Sequence, residues 1–304
     1  MMAPALSLNS VSKYFGKFCS LNQIDLTVEQ GEFFGLLGPN GAGKTTMINL
    51  IGGLSRATSG SISVMGYDVV NQFRQARHSI GIVPQELTFD PFFNVREALR
   101  FQSGYFGIKN NEDWIDELLH NLGLTDKAGS NMRALSGGMK RRVMVAQALV
   151  HQPPVIVLDE PTAGVDVELR QSLWAFISKL NQKGHTILLT THYLEEAETL
   201  CHRIAMLKKG KILTVDQTSN LLSAYASQTL MLRFEGQVPA ALADSLLVAN
   251  QTEKKYIFAL RSVKELESIL STCRANGLDV SDCSIQKPDL EEVFVHLMKK
   301  EELL

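Results

Sequence analysis

The run Gly38-Pro39-Asn40-Gly41-Ala42-Gly43-Lys44-Thr45 carries the plainest chemistry in this chain. It fits G-x-x-x-x-G-K-[ST], a pattern in which glycines let several backbone N–H groups turn toward one anion. Ahead of it, Glu32-Phe33-Phe34-Gly35-Leu36-Leu37 reads as a short apolar strand. Behind it, Thr46-Met47-Ile48-Asn49-Leu50-Ile51 places apolar residues at helical spacing. Strand, glycine loop and helix together leave a helix N-terminus, with its partial positive charge, aimed at a phosphate. In that arrangement Lys44 reaches β- and γ-phosphates and the Thr45 hydroxyl is a Mg²⁺ ligand. A ligand-free glycine turn is the plain alternative, and the strand–helix context argues against it.

Other residues that could do chemistry stand at the ends of apolar runs. Val155-Ile156-Val157-Leu158 is short and rich in branched residues, as suits a strand covered on both faces, and it ends in Asp159-Glu160. Residues 185–190 read as a second buried strand, followed by Thr191-His192, and residues 78–85 as a strand stopped by Pro84 beside Gln85. Ser136-Gly137-Gly138-Met139 precedes a helix carrying Met144, Ala148 and Leu149. Asp166 reads as the N-cap of a helix whose buried stripe is Leu169, Leu173, Phe176, Ile177 and Leu180. In Lys13-Tyr14-Phe15-Gly16, two aromatics in a polar turn either stack on a base or close the core, and spacing alone favours the core.

The elements that must position these residues follow from the rest of the chain. Its 304 residues allow one large domain with an accessory one, or two ordinary domains. With 45% hydrophobic and 20% charged residues it has the makings of a substantial core, and a net charge of −2 exerts no global pull on nucleic acid or anionic lipid. Cys19, Cys201, Cys273 and Cys283 are scattered, which argues against a zinc site or a disulfide framework. The first residues lack the basic and apolar regions of a signal peptide. No apolar run approaches the ~18 residues of a membrane span, so any work at a membrane is expected to go through a partner.

Leu6, Leu8 and Val11, then Ile24, Leu26 and Val28, alternate as strands. Residues 61–66 form another strand, residues 94–124 turn helical, and residues 203–215 form a hairpin about Lys209-Gly210. Past Ala226 the character changes. Residues 229–234 and 255–260 read as strands, Ser262 opens a helix through a capping box, and Pro288 starts a last one.

The order of phosphate loop, Gln85, Ser136-Gly137-Gly138, Asp159-Glu160 and His192 resembles the ATP-binding subunit of an ABC transporter, most closely of the ABC-2, exporter-type, subfamily. The resemblance covers residues 6–226 as nucleotide-binding domain. Residues 227–304 resemble the accessory domain many such ATPases carry, ending in Pro288-Asp289-Leu290-Glu291-Glu292-Val293-Phe294. It implies an α/β fold: a P-loop NTPase core with an antiparallel β subdomain and a helical subdomain at about 88–152, plus a small C-terminal α/β appendix.

Roles follow from the same resemblance. ATP is bound by residues 38–46, through Gly38, Pro39, Asn40, Gly41, Ala42, Gly43, Lys44, Thr45 and Thr46. Mg²⁺ is held by Thr45, Gln85 and Asp159, the carboxylate acting largely through water. Glu160 is the base that polarises the attacking water, Gln85 touches the metal and that water, and His192 donates to the γ-phosphate. The family's base-stacking aromatic directly precedes the glycine, so Phe15 is chosen over Tyr14. Ser136, Gly137 and Gly138 bind the γ-phosphate held by a second copy, and Asp166 lies at the seam between the copies. The usual fifth signature residue is Gln and here it is Met139, so only the serine and backbone contacts carry over. Lys140-Arg141-Arg142 is either a solvated helix face or a phosphate contact.

The implied protein is an ATPase that dimerises on ATP and drives a separate ABC-2 permease from the cytoplasmic face of the membrane. Its docking surface would be the helical region from Phe92 to Leu124, with Phe89, Phe92 and Phe93 as contacts and no nucleic acid as partner. The alternative is a non-transport ABC ATPase acting on ribosomes or nucleic acid. Such relatives usually carry two cassettes or long heptad insertions, and neither is visible here.

Overall fold

The computed structural model describes residues 3–162, 164–225, 228–250, 252–260, 263–286 and 289–300. The chain forms two compact units, Met1–Gln217 and Thr218–Leu304.

The first unit begins with β1 (Leu6–Phe15), β2 (Phe18–Val28), β3 (Phe33–Leu37) and α1 (Lys44–Ile51). It continues through β4 (Ser59–Val64), β5 (Tyr67–Asp68), α2 (Phe73–His78) and β6 (Ile80–Val83). Three helices follow, α3 (Val95–Tyr105), α4 (Glu112–Asn121) and α5 (Gly137–Leu149). The unit closes with β7 (Val155–Asp159), α6 (Val167–Gln182), β8 (Thr186–Thr190), α7 (Leu194–Leu200), β9 (Arg203–Lys208) and β10 (Lys211–Gln217).

Its central sheet has the order β10-β9-β3-β8-β7-β6, parallel from β9 to β6, with β10 antiparallel at one edge. Every residue of β3, β7 and β8 is buried, as continuous apolar runs require of strands covered on both faces. A second, antiparallel sheet runs β2-β1-β4-β5. Leu8 and Ile24 from this sheet, Met47 and Leu50 from α1, and Phe34 and Val157 from the central sheet belong to one apolar cluster. The helix behind the glycine loop is therefore held between two sheets.

The expected helical stretch 94–124 divides into α3 and α4, the chain reversing near Asn110, which is left-handed at φ 57°. Asn94 and Glu97 form a reciprocal capping box at the start of α3. Arg96 reaches across to Glu112 at 2.9 Å, and both helices pack on α5. The strand expected at 78–85 is shorter: His78 ends α2, whose last carbonyls take the Ser79 N–H, and Pro84 and Gln85 lie beyond β6.

The second unit comprises α8 (Thr218–Tyr225), β11 (Gln228–Phe234), β12 (Leu246–Asn250), β13 (Lys255–Leu260), α9 (Val263–Ala275), β14 (Val280–Gln286) and α10 (Leu290–Lys300). Its antiparallel sheet has the order β12-β13-β11-β14, and Leu230, Leu232, Phe258, Ile269 and Cys273 share its core. The division between the units falls before α8, earlier than the expected 226/227, because α8 packs on α10. Ala226, Ser262 and Pro288, expected at the boundary and at two helix starts, lie outside the described residues. Among the described residues no helix is long and apolar enough to cross a membrane.

The β9–β10 turn touches the rest of the first unit at close range. Lys209 and Gly210 are both left-handed, φ 47° and 74°, as a two-residue hairpin turn demands. The Gly210 N–H donates to Ala42 O at 2.9 Å and its carbonyl accepts from Asn22 N–H at 2.8 Å. A Cβ there would lie 2.5 Å from Ser20 O. Gly210→Ala is accordingly expected to cost about 1–3 kcal/mol. Urea unfolding should show a lower midpoint at unchanged slope.

Candidate nucleotide site

The glycine loop leaves β3 at Leu37 and enters α1 at Lys44. Ala42 N–H donates to Pro39 O at 3.1 Å, closing the turn. Gly43, at φ 112°, stands at the helix N-cap, and a Cβ on it would meet Ser20 O at 2.9 Å. No side chain caps α1, so its first N–H groups remain available to an anion. Lys44 Nζ donates to Gly38 O at 2.7 Å and to Pro39 O at 3.3 Å, lying across the loop. Burial lowers the Lys44 pKa from its ordinary value, while the carboxylates of Glu160 and Asp159 pull it the other way.

Two carboxylates close the opposite wall. Asp159, 3% exposed, pairs in register with Thr190 across β7 and β8, and the Thr190 hydroxyl donates to it. Burial raises the Asp159 pKa, and the Thr190 hydrogen bond opposes it. Glu160 is left-handed at φ 50°, and its N–H donates to Thr190 O at 3.0 Å. Its Oε2 accepts from Gln85 Nε2 at 3.1 Å and lies 3.4 Å from His192 Nδ1. The segments following β6, β7 and β8 thus bring Gln85, Glu160 and His192 to one point.

Between the walls lies a cavity of about 430 Å³ lined by Phe15, Phe18, Ser20, Asn40, Gly41, Gly43, Lys44, Thr45, Thr46, Gln85, Asp159 and Glu160. The Thr46 and Ser20 hydroxyls lie 2.9 Å apart at its edge. A hydroxyl from Thr45, a carboxylate from Asp159 and an amide oxygen from Gln85 form a hard oxygen donor set, which fits Mg²⁺.

Spacing favoured the core for Tyr14 and Phe15, and the structure overturns that: they are 44% and 54% exposed. They end the β1–β2 hairpin, where Phe15 pairs with Phe18 beyond the covered part of the sheet. Phe18 was missed; its signal was the mirror position across the turn.

Ser136 and Gly137 are exposed at the α5 N-terminus and do not line this cavity, and Ser136 Oγ accepts from Met139 N–H at 3.3 Å. A Cβ on Gly138 would lie 3.9 Å from Gly164 O, so this tip adjoins the loop before α6. Asp166 directly precedes α6, and its carbonyl accepts from Arg170 N–H at 2.9 Å. Ala163 and the Leu169 side chain lie outside the described residues.

Neither reading of Lys140-Arg141-Arg142 survives for the two arginines, which are 5% and 4% exposed. Arg141 donates to Pro84 O and Gln85 O, and Arg142 to Leu122 O and Gly123 O. Also missed was Glu196, a buried carboxylate accepting from Thr191 Oγ1 at 2.8 Å, Thr162 Oγ1 at 2.9 Å and Trp174 Nε1 at 3.1 Å. It ties the segment after Glu160 to the one that carries His192.

A glycine loop between a central parallel strand and a helix, facing a strand-end Asp-Glu pair, defines a P-loop nucleoside triphosphatase. The model of the ABC transporter family matches residues 21–163. The chain is 37% identical to the Nod factor export ATP-binding protein I of Burkholderia orbicola (strain AU 1054), over 99% of each chain. It is 34% identical to the linearmycin resistance ATP-binding protein LnrL of Bacillus subtilis (strain 168), over 96% of this chain and 97% of the other. Its fold is similar to the dimeric post-hydrolysis state of the ATP-binding cassette MJ0796 bound to ADP and Pi, at TM-score 0.65 and 28% identity, covering 70% of this chain and 98% of that one. The chain belongs to the ATP-binding proteins of ABC transporters, and its reaction is ATP hydrolysis. The ribosome or nucleic-acid alternative is not favoured by these relatives.

Because its folded pKa is raised, Asp159 leaves the fold most stable below its unfolded pKa, and stability is lost as pH rises through the folded value. Asp159→Asn should therefore melt above the wild type at pH 7 while losing hydrolysis. The gap between the two melting curves should close as the pH is lowered toward the ordinary carboxylate range.

Proposed function

We propose that this protein is the motor subunit of an ABC-2 type exporter, working in pairs on the cytoplasmic face of a membrane through a separate permease. The observation that carries the reading is the meeting of Gln85, Glu160 and His192 beside the glycine loop, with Ser136 and Gly137 exposed and outside the lining of that cavity. One copy holds the triphosphate and the hydrolytic groups, and its helix tip is free to meet the triphosphate of another.

In this reading residues 38–46 grip the phosphates, with Lys44 leaving its loop carbonyls for the β- and γ-phosphates. Phe15 stacks on the base at the exposed end of its hairpin. Thr45, Gln85 and Asp159 hold Mg²⁺, which when bound neutralises charge on the phosphate oxygens. Glu160 accepts the proton of the attacking water, with Gln85 orienting that water and His192 donating to the γ-phosphate. Ser136, Gly137 and Gly138 complete the second copy's site from a helix N-terminus, and Asp166 lies at the seam.

In this reading the first unit is the nucleotide-binding domain, with the helical subdomain at 88–152, and the second unit is the accessory domain. Permease docking falls to the helical subdomain, where Phe92 is 80% exposed beside the segment that carries Gln85. The export and resistance functions named for the relatives support this direction of transport.

Glu160→Gln separates binding from chemistry. It should retain ATP affinity, run as a dimer on a sizing column in ATP, and hydrolyse about 10²–10⁴-fold more slowly. Adding Ser136→Arg should return it to monomer. A Glu160→Gln protein that stays monomeric in saturating ATP, or turns over at the wild-type rate, would overturn the reading.

A further inference from the structure

Arg141 sits about one turn into α5, behind the Ser136-Gly137-Gly138 tip, and is almost wholly buried. A guanidinium out of water is costly unless its donors are met. One terminal nitrogen donates to Pro84 O at 2.6 Å and the other to Gln85 O. Arg141 Nε has no hydrogen-bond partner among the described residues, so these two carbonyls carry its polar pairing. Burial lowers its pKa, and the Asp159 and Glu160 carboxylates oppose that.

The carbonyls it grips belong to the segment that needs holding. β6 ends at Val83, so Pro84 and Gln85 are outside the strand ladder, and both are exposed. Yet Gln85 must present its amide to Glu160 at hydrogen-bond distance. A planar fork reaching two consecutive carbonyls fixes both position and rotation of that segment, which a single ammonium does not.

The geometry points to Arg141 as the positioning residue for Gln85: through its fork on the Pro84 and Gln85 carbonyls, α5 sets where the Gln85 amide meets Glu160. The inference deepens the proposed function and rests on it for the role of Gln85. One side chain then links the two ends of the reaction. The helix whose tip meets the other copy's triphosphate also holds the group that orients water in its own site, so seating the tip is felt at Glu160.

The test is a double-mutant cycle in the full-length protein, read by steady-state ATP hydrolysis and thermal melting. Arg141→Lys keeps the buried charge and loses the fork, and Arg141→Gln loses both. Each should lower kcat roughly ten- to hundredfold, as small misplacements of reacting groups do. For Arg141→Lys, the KM for ATP and the melting temperature should stay at wild-type values. In a Gln85→Ala background, Arg141→Lys should cost nothing more, because the group it positions is gone. An equal further loss in that background, or a wild-type kcat for Arg141→Lys, would overturn the positioning role and leave that of Gln85 standing. A wild-type kcat for Gln85→Ala alone would remove the role of Gln85, and this inference with it.

Discussion

Two adjacent carboxylates beside a site for a triphosphate form an assembly of like charges, and the architecture answers to that repulsion. Asp159 is nearly sealed from water and Glu160 follows it directly. Burial raises the Asp159 pKa, and the Thr190 hydroxyl, Lys44 and Arg141 oppose this from different directions. Each comes from another element: β8, the start of α1 and the first turns of α5. The cations that make the site able to hold negative charge also fix how these elements meet around it.

Sheet order makes this possible at short range. Because β3, β8, β7 and β6 are parallel neighbours in that sequence, the ends that follow them open on one side. The glycine loop, the Thr191-His192 segment, the Asp-Glu pair and the Gln85 segment emerge there without long connections. The antiparallel sheet adds the exposed Phe15–Phe18 hairpin end, and its β2 strand backs Gly43 through the Ser20 carbonyl. Gly210, between Ala42 and Asn22, joins the edge hairpin to both the loop and that sheet.

What could be read from sequence was what depends on local pattern. The glycine loop is a string of backbone requirements within a few residues, and the buried strands show as unbroken apolar runs. The strands β12 and β14 were missed because LLVAN is mostly exposed and VSDCSIQ is largely polar; both are edge strands, paired on one side only. Arg141 and Arg142 read as a wet helix face or a phosphate contact because charge suggests exposure. They are buried because main-chain carbonyls from distant segments satisfy them, and no local spacing reports that. Glu196 stayed hidden for the same reason, since its partners Thr162, Trp174 and Thr191 converge only after α6, α7 and β8 have packed. The Tyr14-Phe15 pair fails in the opposite sense: aromatics suggest burial, and a hairpin tip exposes them.

The left-handed backbone at Glu160 has a geometric meaning of its own. Had the strand run on in extended form, pleating would have aimed its next side chain to the sheet's other face. The twist at φ 50° breaks that alternation, held by the Thr190 carbonyl on the neighbouring strand. Two consecutive acids thereby become separate instruments, one fastened to Thr190 within the sheet and one swung out over the gap toward Gln85 and His192. A protein built this way divides labour between neighbouring letters of its sequence by turning a single backbone torsion.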